Sequence, residues 1–318
     1  MGATTLYRRL LAIATVLALV VVVLGAYVRL SAAGLSCPDW PGCYGQLTVA
    51  AALAHATQIE SQFPNTPLQP DKALKEMVHR YAAGTLGLLI CAVALLAWRG
   101  GRGVLLPLLL IMLVVFQALL GMWTVTLSLK PLVVTGHLIG GMSVLALLWW
   151  LWLDAQPDTR TGAKGLRPFA MAGLLLLAVQ IVLGGWTSSH YAGMACAGFP
   201  TCNGAWWPLV DFTAGFGERP LNGAGLVAIH WVHRLGAVTV ALYLGWLAWR
   251  SHHAAPPIRQ IGTALALLLS LQFILGIANV LTGLPLPLAA AHNAVAALLL
   301  LALITLIQRL ATRRGESS

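Results

Sequence analysis

Long apolar runs dominate this sequence. The first, LLAIATVLALVVVVLGAYV from Leu10 to Val28, has no charged side chain and is long enough to cross a bilayer, which takes about 20 residues. It also exceeds the apolar core of a usual signal peptide. Because lipid offers no partner to unpaired backbone groups, such runs must form helices. With 59% hydrophobic and only 9% charged residues, the sequence predicts an all-α integral membrane protein.

The apolar runs predict eight transmembrane helices and an orientation. The predicted helices lie near residues 9–30, 79–98, 104–128, 132–153, 168–187, 228–249, 261–283 and 288–308. By the positive-inside rule, both termini are predicted to be cytoplasmic, and two long loops that are poor in basic residues, 31–78 and 188–227, external. The basic residues that decide this orientation are Arg8, Arg9, Arg99, Arg102, Arg160, Lys164, Arg167, Arg250, Arg259, Arg309, Arg313 and Arg314. Their scatter over short loops argues against nucleic-acid binding despite the net charge of +10.

The two halves of the chain repeat one pattern. KEMVHRYAAGTLGLLICAVALLAWR, which starts at Lys75, corresponds to AIHWVHRLGAVTVALYLGWLAWR, which starts at Ala228. Other matching stretches start at Leu24 and Leu183, and at Phe116 and Leu271. Because each half has an even number of spans, both halves keep the same orientation. The repeat therefore predicts two tandem, parallel-repeat four-helix bundles.

The predicted halves are residues 1–153 and 168–318. Between them, DAQPDTRTGAKGLR at 154–167 is polar and contains glycine, and it is predicted to be a cytoplasmic linker.

Each half has one histidine at the start of its second span and one at the start of its fourth. Within a half these two helices run in the same direction, so their imidazoles can face each other. One membrane histidine can simply be a buried, hydrogen-bonded side chain, but four at equivalent positions indicate a shared function. Imidazole nitrogens bind haem iron axially, so the pairs predict bis-histidine haem sites. The four residues are His79 and His137 in the first half, and His233 and His292 in the second.

Other interpretations of these residues stay open. Zinc or copper can bind histidine, although two histidines without a third ligand are too few for a closed metal site. Arg80 and Arg234 directly follow two of the histidines. They are predicted either to bind haem propionates or to extend to lipid phosphates at the membrane surface.

Two C-x5-C pairs lie in the predicted external loops. CPDWPGC contains Cys37 and Cys43, and CAGFPTC contains Cys196 and Cys202. An oxidising exterior predicts two local disulfides, whereas zinc would need the two pairs to meet and a less usual spacing. Because so short a loop gains little from chain entropy, a redox role for Cys37 and Cys43 stays open beside a structural one. Cys91, in a predicted span, is predicted to be a packing residue.

One difference separates the two halves. The first has Glu76 three residues before His79, and the second has His230 at the corresponding position before its own histidine. Residues at i and i+3 share a helix face. Glu76 is either a solvated residue at a helix end or a carboxylate beside a haem that moves protons during chemistry there. The second interpretation predicts a substrate site in one half and an electron-relaying haem in the other.

The combined pattern resembles the haem A synthase family of bacterial respiratory membranes, from Leu24 to about Leu300. The resemblance is carried by EMVHR, IHWVHRLG, TVTLSLKPLVVTGHL, the four histidines and both cysteine pairs. It is closest to the subgroup with cysteine pairs in both external loops. Mitochondrial relatives lack these cysteines, so the pairs are not essential to the reaction in every member.

The resemblance implies an oxidoreductase that converts the C8 methyl group of haem O to a formyl group, making haem A for terminal oxidases. It implies that His233 and His292 bind a permanent haem b, and that His79 and His137 hold the substrate haem beside the catalytic Glu76. It also implies the bacterial cytoplasmic membrane as location. The partners to expect are a haem O-producing prenyltransferase and a membrane electron carrier.

Two other functions fit part of the pattern. A dihaem cytochrome b that exchanges electrons with quinone would also use four histidines. A haem carrier or assembly scaffold would need neither the carboxylate nor a permanent second haem. Glu76 and the long external loops favour the enzyme.

Overall fold

The computed structural model describes residues 3–64, 66–161, 164–215 and 222–311. In these residues the regular structure is helical, apart from two isolated β-bridges, Cys43 with Gln46 and Cys202 with Ala205. The helices are α1 (Ala3–Leu30), α2 (Val49–Ala54), α3 (Ala56–Gln62), α4 (Pro70–Arg99), α5 (Leu105–Thr126), α6 (Pro131–Asp154), α7 (Arg167–Ser189), α8 (Phe212–Gly215), α9 (Gly223–His252), α10 (Pro256–Leu281) and α11 (Leu286–Arg309).

Eight of the helices in the described residues are long and apolar enough to cross a membrane. They are α1, α4, α5, α6, α7, α9, α10 and α11. The prediction of an all-α membrane protein with eight spans is confirmed. Large apolar side chains on these helices stay exposed, among them Leu88, Leu105 and Leu242, each at least 72% exposed. Such extensive apolar surface is stable only against lipid.

The chain divides into two compact units, Met1–Trp152 and Leu153–Ser318. Four long helices belong to each, which is consistent with the predicted tandem repeat. The predicted linker residues Gly162 and Ala163, and the basic residues Arg313 and Arg314, lie outside the described residues.

The second unit forms a closed ring of helices. In it α9 packs against α7 and α10, α10 packs against α11, and α11 packs back against α7. In the first unit α1 packs closely against α4, and α4 against α5, while α6 approaches its neighbours less closely. The same four-helix pattern is therefore tighter in the second unit than in the first.

Helix ends follow local sequence signals. The Asn222 side chain caps α9 by accepting a hydrogen bond from the Gly225 amide. Prolines stand in the first turn of α4, α7 and α10, where the missing amide proton costs nothing. The helices α4 and α9, with 30 residues each, carry His79 and His233, the first histidine of each predicted pair. They therefore determine where the candidate sites lie.

Candidate functional site

In the first unit, the imidazoles of His79 on α4 and His137 on α6 face each other. Their ring centroids are 6.5 Å apart and the ring planes are 85° from parallel. Two imidazoles on one metal ion hold their centroids about 6.4 Å apart, given metal–nitrogen bonds of about 2.0–2.1 Å and a ring radius of roughly 1.2 Å. Both Nδ1 atoms are buried without a hydrogen-bond partner. The spacing therefore fits axial ligands of a single iron.

Four glycines make room for the four imidazoles. A Cβ added at Gly25 would lie 3.0 Å from Cε1 of His79, and one at Gly121 would lie 3.4 Å from Cε1 of His137. In the second unit the corresponding distances are 3.2 Å from Gly184 to His233 and 3.2 Å from Gly276 to His292. Each ring thus lies directly against the bare backbone of the preceding long helix. These glycines were not predicted from the sequence, although each follows a leucine at an equivalent point of the repeat.

Glutamine side chains lie beside the histidines of the second unit. Nε2 of Gln180 lies 3.0 Å from Nδ1 of His233 and donates to the His233 carbonyl at 3.0 Å. Nε2 of Gln272 lies 3.2 Å from Nε2 of His292. An iron bound at that nitrogen of His292 would take the place of the Gln272 contact. These glutamines were also missed by sequence analysis, because a polar residue within an apolar run reveals its partner only after folding.

Glu76 is a buried carboxylate in the first unit, only 4% exposed. Its Oε2 accepts hydrogen bonds from the Ser36 and Cys37 amides, each at 3.1 Å. It also lies 3.0 Å from the Ser36 hydroxyl, whose single proton is shared with the Ala33 carbonyl at 2.6 Å. Its Oε1 pairs with Nη2 of Arg80 at 2.6 Å. The alternative of a solvated end-group is therefore wrong, since the polar end of α4 is covered by the first cysteine loop.

Arg80 and Arg234 both hold a cysteine loop. Arg80 donates to the carbonyl oxygens of Asp39 at 3.0 Å and Pro41 at 3.3 Å, and also to Gly42. Arg234 donates to Thr201 O at 3.1 Å and to Cys196 O. In this structure both guanidinium groups are anchors for loops, and contact with haem propionates stays a prediction.

The charge balance around these two arginines differs between the units. Arg80 is neutralised by Glu76. Arg234 instead donates from Nε to Nε2 of the buried His230 at 3.3 Å, an acceptor without formal charge. The carboxylate of the first unit is therefore replaced by an imidazole, at a point where the loop contacts are otherwise alike.

Both predicted disulfides are present, Cys37–Cys43 and Cys196–Cys202. Each has its Cα atoms less than 5 Å apart, at 4.7 and 4.8 Å, and each lies in a loop whose turn is closed by a β-bridge. In the first loop the disulfide packs with Tyr44, Ile59 and Met77 over the start of α4. These contacts show how the loop covers Glu76.

Tyr44 also stabilises the first cysteine loop, through its hydroxyl group. Its hydroxyl lies 3.2 Å from Thr66 O and 3.1 Å from Pro67 O. Burial, followed by the negative charges of Glu76 and Asp39, raises the pKa of Tyr44. The phenol therefore stays a neutral hydrogen-bond donor at physiological pH.

The cysteines give a direct prediction. Alkylation of the unreduced, detergent-denatured protein will modify Cys91 alone, whereas reduction beforehand will expose all five cysteines. Cys91 is exposed on α4 rather than packed, so its predicted packing role is wrong. Intact-protein mass spectrometry distinguishes the two counts. Modification of two or more further cysteines without reduction would contradict the disulfides.

In the residues that the structure describes, no three His, Cys, Asp or Glu side chains come together as a metal-binding group. A histidine pair alone suits an iron whose other ligands come from a porphyrin. The donor set of each unit thus fits haem better than a free metal ion.

Comparison with known proteins agrees with the resemblance seen in the sequence. The family model described as COX15-CtaA, cytochrome oxidase assembly protein, matches residues 8–304. The haem A synthase of Shewanella oneidensis is 42% identical over 93% of this chain and 94% of that protein. That of Rhizorhabdus wittichii is 32% identical over 92% and 91%, and that of Paracoccus denitrificans 29% identical over 97% and 87%. The chain belongs to the COX15-CtaA family of cytochrome oxidase assembly proteins, the family of the haem A synthases.

Proposed function

We propose that this protein is a haem A synthase, which oxidises the C8 methyl group of haem O to a formyl group. The observation that carries the proposal is the pair His79 and His137 at 6.5 Å, with the buried carboxylate of Glu76 three residues from His79. The relatives of known name support it, since three of them are haem A synthases that cover most of the chain.

The first unit is the proposed substrate site. His79 and His137 would hold the iron of haem O between them. A substrate must enter and leave, and the looser packing of α6 in this unit suits that need better than the closed ring of the second. Two successive two-electron oxidations of the methyl carbon, each adding a hydroxyl group from water and releasing two protons, would give an alcohol and then a gem-diol. The gem-diol loses water to form the aldehyde, and the four electrons pass to the membrane electron carrier.

Glu76 is the proposed catalytic residue. Its buried carboxylate can take up the proton of one hydroxyl group of the gem-diol and return it to the other, which leaves as water while the aldehyde forms. The hydrogen bonds from Ser36 and Cys37 hold Oε2, and the ion pair with Arg80 holds Oε1. Transfer of a proton to either oxygen therefore weakens one of these contacts, so proton uptake is coupled to the first cysteine loop.

The second unit is the proposed cofactor site, where His233 and His292 would bind haem b. Haem b, when bound, supplies a one-electron relay. The closed ring of α7, α9, α10 and α11 would retain it, and Gln180, whose amide lies 3.0 Å from Nδ1 of His233, would orient the ring by accepting the Nδ1 proton at its amide oxygen. No carboxylate stands at the Glu76 position of this unit, since His230 occupies it.

Substitution of Gly184, which packs against His233, tests the cofactor site. We expect Gly184→Ala to displace the His233 ring, because the new methyl group would lie 3.2 Å from Cε1. Overpacking of this kind costs about 1–3 kcal/mol, so haem content should fall and the haem absorption bands should shift. Gly245→Ala is the matched control, since nothing lies within 4 Å of its Cβ. Equal haem loss in both variants would contradict a role for Gly184 in positioning His233.

The location and partners complete the proposal. We place the protein in the bacterial cytoplasmic membrane, with both termini in the cytoplasm and the cysteine loops outside, on the distribution of basic residues. A prenyltransferase that makes haem O would supply the substrate. A membrane electron carrier would take up the electrons.

Conversion in cells tests the enzyme against the dihaem cytochrome b. The gene is expressed in a host that makes haem O but has no haem A synthase of its own, and membrane haems are separated by chromatography after acid extraction. Haem A in these membranes, and its absence with the empty vector, is the expected result. Haem O unchanged in amount, beside abundant full-length protein, would overturn the proposal.

A further inference from the structure

A cavity in the second unit has no part in the proposed reaction. Its volume is about 380 Å³, and it is lined by Gly165, Leu166, Phe169, Trp246 and Arg250. It lies where α7 begins and α9 ends, at the opposite end of these helices from the second cysteine loop. The cavity is therefore at the basic end of the span, at the level of the membrane surface.

Arg250 brings an uncompensated charge to this cavity. Among the described residues its side chain has no hydrogen bond and no ion pair. The acidic residues described in this unit bond elsewhere, Asp154 and Asp158 with Arg160, and Asp211 with its own loop. A guanidinium with five donors and no anion nearby is suited to a phosphate group.

The walls of the cavity are aromatic and well supported. The rings of Phe169 and Trp246 meet edge to face with centroids 5.3 Å apart. Tyr243, one turn below Trp246 on α9, donates its hydroxyl to Phe169 O at 3.0 Å and so joins α9 to α7 under the cavity. Trp246 and Arg250 are four residues apart and share one helix face. Aromatic rings at the bilayer surface suit the boundary between a polar headgroup and acyl chains.

An apolar strip continues from the cavity along α9. Val238, Leu242 and Trp246 follow one another at helical spacing, and they are 49%, 72% and 37% exposed. A molecule with a phosphate in the cavity would lay its hydrocarbon chains on this strip. A soluble anion would leave the strip uncovered.

We propose that this cavity binds the headgroup of an anionic membrane phospholipid, with its phosphate on Arg250 and its acyl chains along α9. The volume fits, because about 380 Å³ is far more than the roughly 10–15 Å³ that a single water needs by the same measure, which leaves room for a phosphodiester with its glycerol. Basic pockets between membrane helices commonly take such headgroups.

The proposal is tested on the whole protein in neutral detergent by native mass spectrometry and by thermal unfolding, with added phosphatidylglycerol or phosphatidylcholine. The variants are Arg250→Gln, Arg250→Lys and Trp246→Leu. Arg99→Gln is the matched control, because Arg99 ends the equivalent span in the same Ala-Trp-Arg context but does not line the cavity.

The expected result is that phosphatidylglycerol binds and raises the unfolding temperature, and that Arg250→Gln weakens its binding roughly five- to tenfold. Arg250→Lys should retain part of the affinity, Trp246→Leu should weaken binding of the lipid, and Arg99→Gln should change it less than twofold. Equal affinity for phosphatidylcholine, equal loss in Arg99→Gln, or displacement of the lipid by millimolar inorganic phosphate would each overturn the proposal. The comparisons of lipids and of phosphate need only the unmodified protein.

Discussion

Glu76→Gln will abolish most conversion of haem O to haem A while the second unit keeps its haem. Loss of a general acid or base slows a reaction typically by about 10²- to 10⁴-fold, and haem A in the membranes should fall accordingly. The haem b proposed for His233 and His292 lies in the other unit and should be unaffected. Haem extraction from membranes measures conversion, and the absorption spectrum of the purified variant measures the retained haem.

The same substitution also has a structural cost. A glutamine has a single oxygen, so it cannot accept from both Arg80 and the Ser36–Cys37 amides as Glu76 does. Removal of one partner from a buried ion pair leaves a charge unpaired and costs about 3–5 kcal/mol. The first cysteine loop should therefore loosen, and thermal unfolding should shift to lower temperature.

Ser36→Ala separates the two effects. It removes the hydroxyl group, which is shared between the Ala33 carbonyl and Oε2, but keeps the carboxylate and both backbone donors. We expect about 1 kcal/mol of lost stability and conversion within a few-fold of the unmodified protein. Should Ser36→Ala abolish conversion as fully as Glu76→Gln, or Glu76→Gln convert haem O normally, the assignment of Glu76 as the catalytic residue would fail.

Alanine at His233 or His292 will remove the haem that stays with the protein through purification. Loss of contacts beyond the direct ligands already weakens metal binding about 10- to 100-fold, so loss of a ligand should weaken it by at least about 100-fold. His79→Ala and His137→Ala are the matched variants of the first unit, and they should keep the purified haem while they lose conversion. The visible spectrum and the haem-to-protein ratio give the readout.

This comparison also tests the electron relay. If the second haem passes electrons from the substrate site, His233→Ala should lose haem A production together with haem b. Unaltered haem A production by a variant without haem b would show that electrons do not pass through that haem. Equal haem loss in His79→Ala and His233→Ala would contradict the division into substrate and cofactor sites.

Sequence predicted the spans well because hydropathy reports directly on the lipid-facing surface. It placed the start of four spans at least five residues too late. The first span was predicted from residue 9 and the seventh from residue 261, whereas α1 begins at Ala3 and α10 at Pro256. The second span was predicted from residue 79 and the sixth from residue 228, whereas α4 begins at Pro70 and α9 at Gly223. Their first turns are polar or glycine-rich and extend toward the loops. Glu76 consequently lies inside a helix, three residues before the predicted start of its span.

The histidines could be found from sequence because the repeat gives four independent instances of one position. The partners of Glu76 could not, since Ser36 and Cys37 are about 40 residues away in a loop without a recognisable pattern. Gly25 and Gly184 could not be distinguished from other membrane glycines in the sequence. Only the structure shows that the imidazoles of His79 and His233 pack against them. Packing of this kind depends on how two helices cross, which a single sequence does not state.

The most direct test of the proposed function identifies the haems of the purified protein, by acid extraction and chromatography after expression with and without a haem O-producing prenyltransferase. A haem A synthase with a separate cofactor site should yield haem B in both samples, joined by haem O, its hydroxylated form and haem A only when the prenyltransferase is present. Haem B alone in both samples, at two per chain, would contradict the proposed function and indicate a dihaem electron carrier.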